Sequence, residues 1–364
     1  MSKRVAVCMA AMAATVLVLA AGAAAVRAEQ PDRTLAVTMT NDPVDNRINV
    51  YDADTHELLQ TLSTQGKGGA GGNARGVKQY GGELIAAVNN GSNTVAVFRR
   101  DGDRVKFEKV VSTTSAPLSV DFGNDHMYVA GATTVDSFAL HEHTVAGLDG
   151  TTGLELAGGG APSNGSTAQV GVVNDQQLLV TLKTDPDPGT VDVVRLVDGA
   201  ISGAPIAVSA PAGTLTPFGF SVYPDGTAVI TLAHSDQDGL FRDGAFTAVV
   251  GAGQAAVCWA TRVGKYVFTA NTGSQTISRL IGTGNNVFVD SAVAARIATG
   301  GAPADLDADA GILAVIDHVG GQSHLSFFRY NAFGELTAAG TPITVGVADA
   351  NGIAIVPAAD RSRN

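Results

Sequence analysis

The sequence predicts an all-β fold made of repeated hairpins. Glycine accounts for 44 of the 364 residues and charged residues for 16%, whereas average proteins contain about 7% glycine and about 25% charged residues. Such a composition, with abundant valine, threonine and alanine, suits many short strands joined by tight turns. Helical periodicity is nearly absent.

Seven short apolar runs recur along the chain. Successive runs begin 38 to 51 residues apart, and a period of about 40 to 50 residues built from strands is typical of propeller blades. The runs begin at Leu35, Leu84, His126, Gln177, Thr227, Lys265 and Ile312. The repeat therefore predicts a seven-bladed β-propeller.

The second repeat shows the strands of one blade most clearly. Residues 84–89 are apolar, an Asn-Gly-Ser-Asn turn follows, and residues 94–98 alternate, which predicts a hairpin. A similar hairpin returns at residues 266–281, and a more polar fourth strand often follows, as at residues 104–111. We expect four strands in each blade, and the least regular blade at residues 140–167, which are rich in glycine.

The two ends of the repeat array predict how the ring closes. No inner strand fits before Leu35, and the apolar strand at residues 351–356 has no partner after it. We predict that this last strand pairs with residues 35–40 in the first blade, which removes the exposed edges of an open sheet. The predicted single propeller domain covers residues 29–364.

Residues 1–28 have the layout of a secretory signal peptide. Lys3 and Arg4 precede an apolar stretch, and Val26 and Ala28 occupy the two positions that a signal peptidase reads. A retained membrane anchor is the alternative, because a bilayer needs roughly 20 apolar residues. We expect cleavage after Ala28 and export to the periplasm or the extracellular space.

Charge and cysteine content narrow the function classes. Residues 1–28 contain three basic and no acidic residues, so their removal changes the net charge from −11 to −14. An acidic protein repels nucleic acid and anionic lipid, so we expect no nucleic-acid partner and no membrane contact after signal removal. Cys258 then remains alone in an apolar run, which indicates a buried structural thiol and no internal disulfide.

Three stretches resemble the lactonase family of seven-bladed propellers, the 6-phosphogluconolactonase-like proteins with YVTN repeats. They are residues 38–52 (TMTNDPVDNRINVYD), 84–103 (LIAAVNNGSNTVAVFRRDGD) and 266–280 (YVFTANTGSQTISRL). The resemblance implies a propeller that is often exported and needs no cofactor. Some members open sugar lactones, and a related branch acts on muconate-type lactones. The glycine-rich connector at residues 66–77 departs from the family at Arg75, where members tend to carry glutamine or a small residue.

Strand alternation places the candidate site on one face of the propeller. The loops between second and third strands share this face with the connectors between blades, and both surround the mouth of the central channel. Lactone hydrolysis needs a base that activates water and a cation or amide that holds the carbonyl oxygen. We predict His234 or His318 as the base, and Arg75 or Lys183 as the group that holds the oxyanion or a substrate carboxylate. The candidate catalytic residues are thus His234, His318 and Arg75, and the candidate substrate-binding residues are Asn89, Asn90, Lys183, Asn271 and Asp317.

The same residues have a simpler explanation. A loop histidine beside an aspartate, such as His234 near Asp236, is commonly part of a solvated turn, and asparagine is a frequent turn residue. We therefore keep two functions open. One is an exported hydrolase acting on a small sugar or acidic lactone at the channel mouth. The other is a non-catalytic propeller that binds a small molecule or a protein in the cell envelope.

We expect neither a cofactor nor a metal ion. Residues 305–311 (DLDADAG) resemble a calcium loop only superficially, because the glycine falls one place late and position twelve is Ile316; we interpret them as a turn. His141 and His143 lie on one side of a predicted strand without an evident third ligand. The chain has no phosphate-binding loop and no Gly-x-Ser-x-Gly elbow.

We expect the exported protein to begin at Glu29, because the apolar stretch ends in Val26-Arg27-Ala28. Intact-mass measurement of the exported protein should give the mass of residues 29–364. A mass that includes Met1 or Ser2 would contradict cleavage.

Overall fold

The computed structural model describes residues 33–142, 144–163, 165–183 and 189–358. The predicted signal peptide lies outside these residues. In the described part of the chain, helical structure is limited to two 3-10 turns, Asn90–Ser92 and Ala233–Ser235. None of its helices is long and apolar enough to cross a membrane.

The described residues form 30 strands in seven antiparallel sheets, which are blades A to G in chain order. Blade A begins with β1 (Leu35–Met39), β2 (Arg47–Asp52) and β3 (Leu58–Ser63). Blade B has β4 (Val77–Tyr80), β5 (Leu84–Asn89), β6 (Thr94–Asp101) and β7 (Arg104–Ser112), and blade C has β8 (Pro117–Gly123), β9 (His126–Gly131), β10 (Thr134–His141) and β11 (Thr144–Gly153). Blade D has β12 (Thr167–Asn174), β13 (Gln177–Leu182), β14 (Thr190–Val197), β15 (Ala200–Ile201) and β16 (Ile206–Ser209).

The remaining blades repeat this plan. Blade E has β17 (Pro217–Val222), β18 (Ala228–Leu232), β19 (Gln237–Arg242) and β20 (Ala245–Val250), and blade F has β21 (Val257–Val263), β22 (Tyr266–Asn271), β23 (Thr276–Thr283) and β24 (Asn286–Arg296). Blade G has β25 (Ala302–Asp309), β26 (Ile312–Val319), β27 (Gln322–Tyr330), β28 (Leu336–Ala338) and β29 (Ile343–Thr344), after which β30 (Asn351–Val356) returns to blade A. The predicted seven-bladed, all-β propeller is confirmed.

The last strand closes the ring as predicted. β30 pairs with β1 in antiparallel register, with Leu35 opposite Val356 and Val37 opposite Ala354. Its side chains need a buried surface on both faces, because all six residues are buried. Ile355 packs with Ile316 of blade G in one apolar cluster, so this strand joins the last blade to the first.

Burial explains why the second strand of each blade was the clearest sequence signal. β5, β9 and β22 are buried along their whole length, and a strand buried on both faces appears in sequence as a continuous apolar run. The expected irregular stretch of blade C, residues 140–167, is irregular only in part. Residues 144–153 form β11, which pairs with β10 despite two register shifts, whereas no strand is formed by the described residues from 154 to 166. β11 was missed because its largely exposed residues show no apolar alternation.

Replacing Ile355 by alanine should lower the free energy of unfolding by about 2–5 kcal/mol, because a fully buried side chain leaves a cavity. Ile206→Ala on the outer strand β16 is the matched control, since Ile206 is 69% exposed; surface changes cost within about 0.5 kcal/mol. Denaturant unfolding of both variants measures the difference. Equal stability of the two would contradict ring closure by β30.

Candidate functional site

The connector between blades A and B enters the ring of inner strands. It begins beside the first hairpin of blade A, where Gly68 N donates to Asp42 O at 2.7 Å. Further on, Ala74 N donates to Ala168 O of β12 at 3.0 Å. Because Ala168 lies on the inner strand of blade D, this segment has crossed from one side of the propeller towards the other.

Asn73 is fully buried and bonds three blades together. Its Nδ2 donates to Leu118 O of blade C at 2.5 Å, and its backbone oxygen accepts from Trp259 Nε1 of blade F at 2.9 Å. Its Oδ1 accepts from Asn351 Nδ2 of β30 at 2.7 Å. The connector therefore plugs the channel with a segment in which both polar atoms of the Asn73 side chain are hydrogen-bonded to the surrounding strands.

Arg75 extends the plug towards the remaining blades. Its Nη1 lies 3.6 Å from Asp121 Oδ2 of blade C, and its Nη2 donates to Phe220 O of blade E at 3.3 Å. Its backbone N donates to Asp305 Oδ2 of blade G at 3.2 Å. Arg75 adopts a left-handed conformation, with φ of 57°, which the contacts on all sides hold in place.

Asp305 corrects one sequence interpretation. Residues 305–309 belong to the inner strand β25, so only the end of the calcium-loop-like stretch is a turn. Asp305 is 2% exposed and also accepts from Leu306 N at 2.9 Å. Burial raises its pKa to about 7. This carboxyl anchors the connector from within the ring.

Two cavities lie at the mouth, and Gly72 of the connector belongs to the walls of both. The first, here called the His234 cavity, has a volume of about 440 Å³. The second, the His318 cavity, has a volume of about 370 Å³. Walls of the His234 cavity include Lys183, Thr216, Phe218, His234 and Cys258, and those of the His318 cavity include Asn41, Trp259, His318, Asp349 and Asn351.

His234 reaches its cavity from the 3-10 turn between β18 and β19. Its Nδ1 lies 2.9 Å from Thr216 Oγ1. Thr216 comes from the connector between blades D and E and has a left-handed backbone, with φ of 62°. The hydroxyl fixes the orientation of the imidazole ring, which is how a catalytic base is commonly held.

Lys183 follows β13 and points over the connector. Its Nζ donates to Gly71 O at 3.3 Å and also to Gly72 O, and lies 5.5 Å from the centre of the Phe218 ring. Burial lowers the pKa of this amine to about 8. Burial also raises the pKa of the Cys258 thiol in the same cavity to about 11, so this cysteine stays a thiol at neutral pH, as a structural cysteine does.

The structure brings together one predicted catalytic residue and one predicted substrate-binding residue. His234 and Lys183 line one cavity, while His318 lines the other and its Nε2 lies 3.0 Å from Ala350 O. Arg75 is engaged inside the channel with Asp121. Convergence of His234, His318 and Arg75 on one small substrate stays a prediction.

The predicted substrate-binding asparagines hold hairpins together. Asn89 and Asn271 are fully buried. Asn89 Oδ1 accepts from Asn46 Nδ2 at 3.0 Å, and Asn271 Nδ2 donates to Ser278 Oγ at 2.9 Å. Asn90 is half-buried and its Nδ2 donates to a backbone oxygen of blade C at 3.1 Å. Their part in ligand binding stays a prediction.

Asp317 is also fully buried, in blade G. It accepts hydrogen bonds from the hydroxyls of Thr299 and Ser326. Burial raises its pKa, which the hydrogen bond from Thr299 partly offsets. Its part in substrate binding likewise stays a prediction, as does the absence of a cofactor. Among the described residues, no group of three or more His, Cys, Asp or Glu side chains is placed to hold a metal ion; His143 lies outside them.

Sequence reasoning missed Trp259, Phe218 and the anchoring role of Asp305. Trp259 is the single tryptophan of the chain. Because it lies in an apolar run, the sequence did not indicate that its indole faces the connector. The signal that was available is its place on an inner strand, whose side chains border the channel.

Comparisons with known proteins place the fold. No family model and no curated protein sequence matches the chain. Among solved structures, a protein of unknown function from Desulfotomaculum acetoxidans is similar with a TM-score of 0.65 and 13% identity, over 89% of this chain and 98% of the other. A candidate 6-phosphogluconolactonase from Bacteroides uniformis is similar with a TM-score of 0.64 and 15% identity, over 88% and 99%.

A third similar structure is the periplasmic gluconolactonase PpgL of Pseudomonas aeruginosa, with a TM-score of 0.61 and 16% identity over 90% of this chain and all of the other. The chain has a lactonase-like β-propeller fold. The resemblance drawn from the hairpins is confirmed at the level of architecture, and at these identities the likeness concerns the fold alone.

Proposed function

We propose that this lactonase-like propeller is a hydrolase that opens a small lactone in the His234 cavity. The observation that carries the proposal is that a histidine and a half-buried lysine line the same cavity of about 440 Å³. Such a volume suits a small ligand. Lactone opening needs a base for water and a positive group at the carbonyl oxygen, and His234 and Lys183 supply these two groups.

The proposed reaction has two steps. The imidazole of His234, oriented by Thr216, takes a proton from water as the oxygen attacks the lactone carbonyl carbon. The Lys183 ammonium stabilises the negative carbonyl oxygen. The ring C–O bond then breaks, and the imidazolium returns its proton to the departing alkoxide. The product is a hydroxy acid.

Lys183 is a better cation than Arg75 for this role. The Arg75 guanidinium lies in the channel with Asp121 and Phe220 O, so moving it would break the plug. Lys183 contacts backbone oxygens of Gly71 and Gly72; a substrate oxygen at the same cavity offers it one more acceptor. The similar structures named as lactonases support this chemistry.

We place this activity outside the cytoplasm. The signal-like residues 1–28 support export, and so does the similarity to a periplasmic gluconolactonase. The alternative, a propeller that only binds its ligand, uses the same mouth but needs no oriented base.

His234→Gln should lower kcat/KM for a hydrolysed lactone by at least about 100-fold, because general base catalysis contributes 10²–10⁴-fold. The panel of test substrates contains γ-butyrolactone, δ-valerolactone and glucono-δ-lactone, and their hydrolysis is measured by the release of protons. The exposed His141 on the opposite face provides the control His141→Gln. No turnover of any panel member, or full activity of His234→Gln, would favour the binding propeller.

Turnover of a neutral lactone should fall as pH rises through about 8, because the Lys183 ammonium then loses its proton. Lys183→Arg should keep its charge across this range and remove the decline, while Lys183→Met should be slow at every pH. Lys106→Arg is the control, since Lys106 is 69% exposed on an outer strand. The rate of uncatalysed lactone hydrolysis is subtracted at each pH, which leaves the enzymatic rate. If Lys183→Arg shows the same decline with pH as the unaltered protein, the Lys183 ammonium does not stabilise the carbonyl oxygen.

A further inference from the structure

We propose that the His318 cavity is a second subsite that binds a protonated amino group, and that the substrate is an amino-bearing lactone spanning both cavities. The spanning part rests on the proposed function, whereas the amine subsite does not.

The walls of the His318 cavity offer acceptors. His318 Nε2 lies 3.0 Å from Ala350 O, and a backbone oxygen only accepts, so Nε2 carries the hydrogen and Nδ1 of the neutral ring is an acceptor. Asp349 adds an exposed carboxylate. Asn351 is 8% exposed, and its Oδ1 is a buried acceptor beside the cavity that has no hydrogen-bond partner within the described residues.

Three side-chain donors of the same walls are already engaged by protein acceptors. Trp259 Nε1 donates to Asn73 O at 2.9 Å, and Asn351 Nδ2 donates to Asn73 Oδ1 at 2.7 Å. Asn41 Nδ2 donates to Ala70 O at 2.7 Å. The side chains of this cavity therefore favour a ligand that brings its own donors.

Charge selects among donor-bearing ligands. Asp349 is the acidic wall residue, and no lysine or arginine belongs to the described walls. The indole of Trp259 adds an aromatic surface, which attracts cations. Lys183 lines the neighbouring His234 cavity, and its ammonium donates to backbone oxygens of the shared connector, so a positive ligand end is favoured beside Asp349 and not beside Lys183. The two cavities thus fix which end of a substrate enters which side.

The two cavities share a wall residue of the connector. Gly72 belongs to the walls of both cavities, and the preceding Gly71 belongs to the walls of the His318 cavity. A Cβ added at Gly71 would meet no atom within 4 Å. The space above Gly71 is open, and its backbone is not left-handed. We infer that a ligand chain joining the two cavities passes this point, where the Cβ of a larger side chain would enter open space and obstruct the chain.

Trp259 fluorescence tests the amine subsite directly, because the chain has one tryptophan. The probes are n-butylammonium, 1-butanol and n-butyrate. We expect a saturable change in emission with n-butylammonium at a concentration at least about tenfold lower than with either other probe. Asp349→Asn should weaken n-butylammonium binding about tenfold. The control Asp243→Asn, whose side chain is 91% exposed on the opposite face, should bind as the unaltered protein does.

Gly71→Val tests the spanning substrate. The paired substrates are γ-butyrolactone and the same ring carrying an aminoalkyl chain. We expect the unaltered protein to favour the aminoalkyl lactone, and the ratio of the two kcat/KM values to fall at least about tenfold in Gly71→Val. Gly147→Val on β11 is the matched control, because a Cβ there also meets no atom within 4 Å.

The outcomes separate the two proposals. Lactone turnover without selective n-butylammonium binding, or with Asp349→Asn binding equally well, overturns the amine subsite while the hydrolase stands. Selective, Asp349-dependent binding without any lactone turnover sustains the subsite and rejects the hydrolase. If the ratio of the two kcat/KM values is unchanged in Gly71→Val, the substrate does not span both cavities. If no lactone is turned over, titration of Trp259 fluorescence with the aminoalkyl lactone replaces this test, and an unchanged titration in Gly71→Val also overturns the spanning substrate.

Discussion

The hydrogen bonds of residues 73–75 inside the ring are the constraint on which the mouth depends. Buried polar groups need partners, and this segment finds them on the inner strands: blade C through Leu118 and Asp121, blade D through Ala168, blade F through Trp259 and blade G through Asp305. Blade E and β30 contribute as well. The connector is thereby fixed across the axis.

A fixed connector determines where a ligand can bind. It crosses the channel below the mouth, and Gly72 belongs to the walls of the two cavities described there, the His234 cavity and the His318 cavity. Within the channel, the Arg75 guanidinium lies 3.6 Å from the Asp121 carboxylate. The remaining charges, Lys183 on one side and Asp349 on the other, then give the two cavities opposite character.

The fold was largely predictable because its signals are local. β5, β9 and β13 begin at the predicted Leu84, His126 and Gln177, since a buried strand between two turns is a contiguous pattern. Ring closure followed from one unpartnered strand, β30. Blade C was misjudged because the exposed strand β11 has no apolar periodicity.

The candidate site was less predictable because its parts come from distant blades. Sequence position placed Lys183 and His234 on one face, and the structure places them on one cavity. Nothing in a glycine-rich connector indicates that Asn73 enters the ring or that Asp305 will anchor it. Asn89 and Asn271 are the last residues of β5 and β22, and Asp317 lies inside β26, so none of them occupies a loop. One residue along a strand decides whether a side chain lies on the buried or the open face.

The most direct test of this account is a crystal structure of the His234→Gln variant with δ-valerolactam, which is an uncleaved analogue of a small lactone. The account predicts the ring in the His234 cavity, with its carbonyl oxygen within about 3.2 Å of Lys183 Nζ, a hydrogen-bond distance. A lactam bound in the channel beside Arg75 or on the opposite face, with the His234 cavity empty, would contradict it.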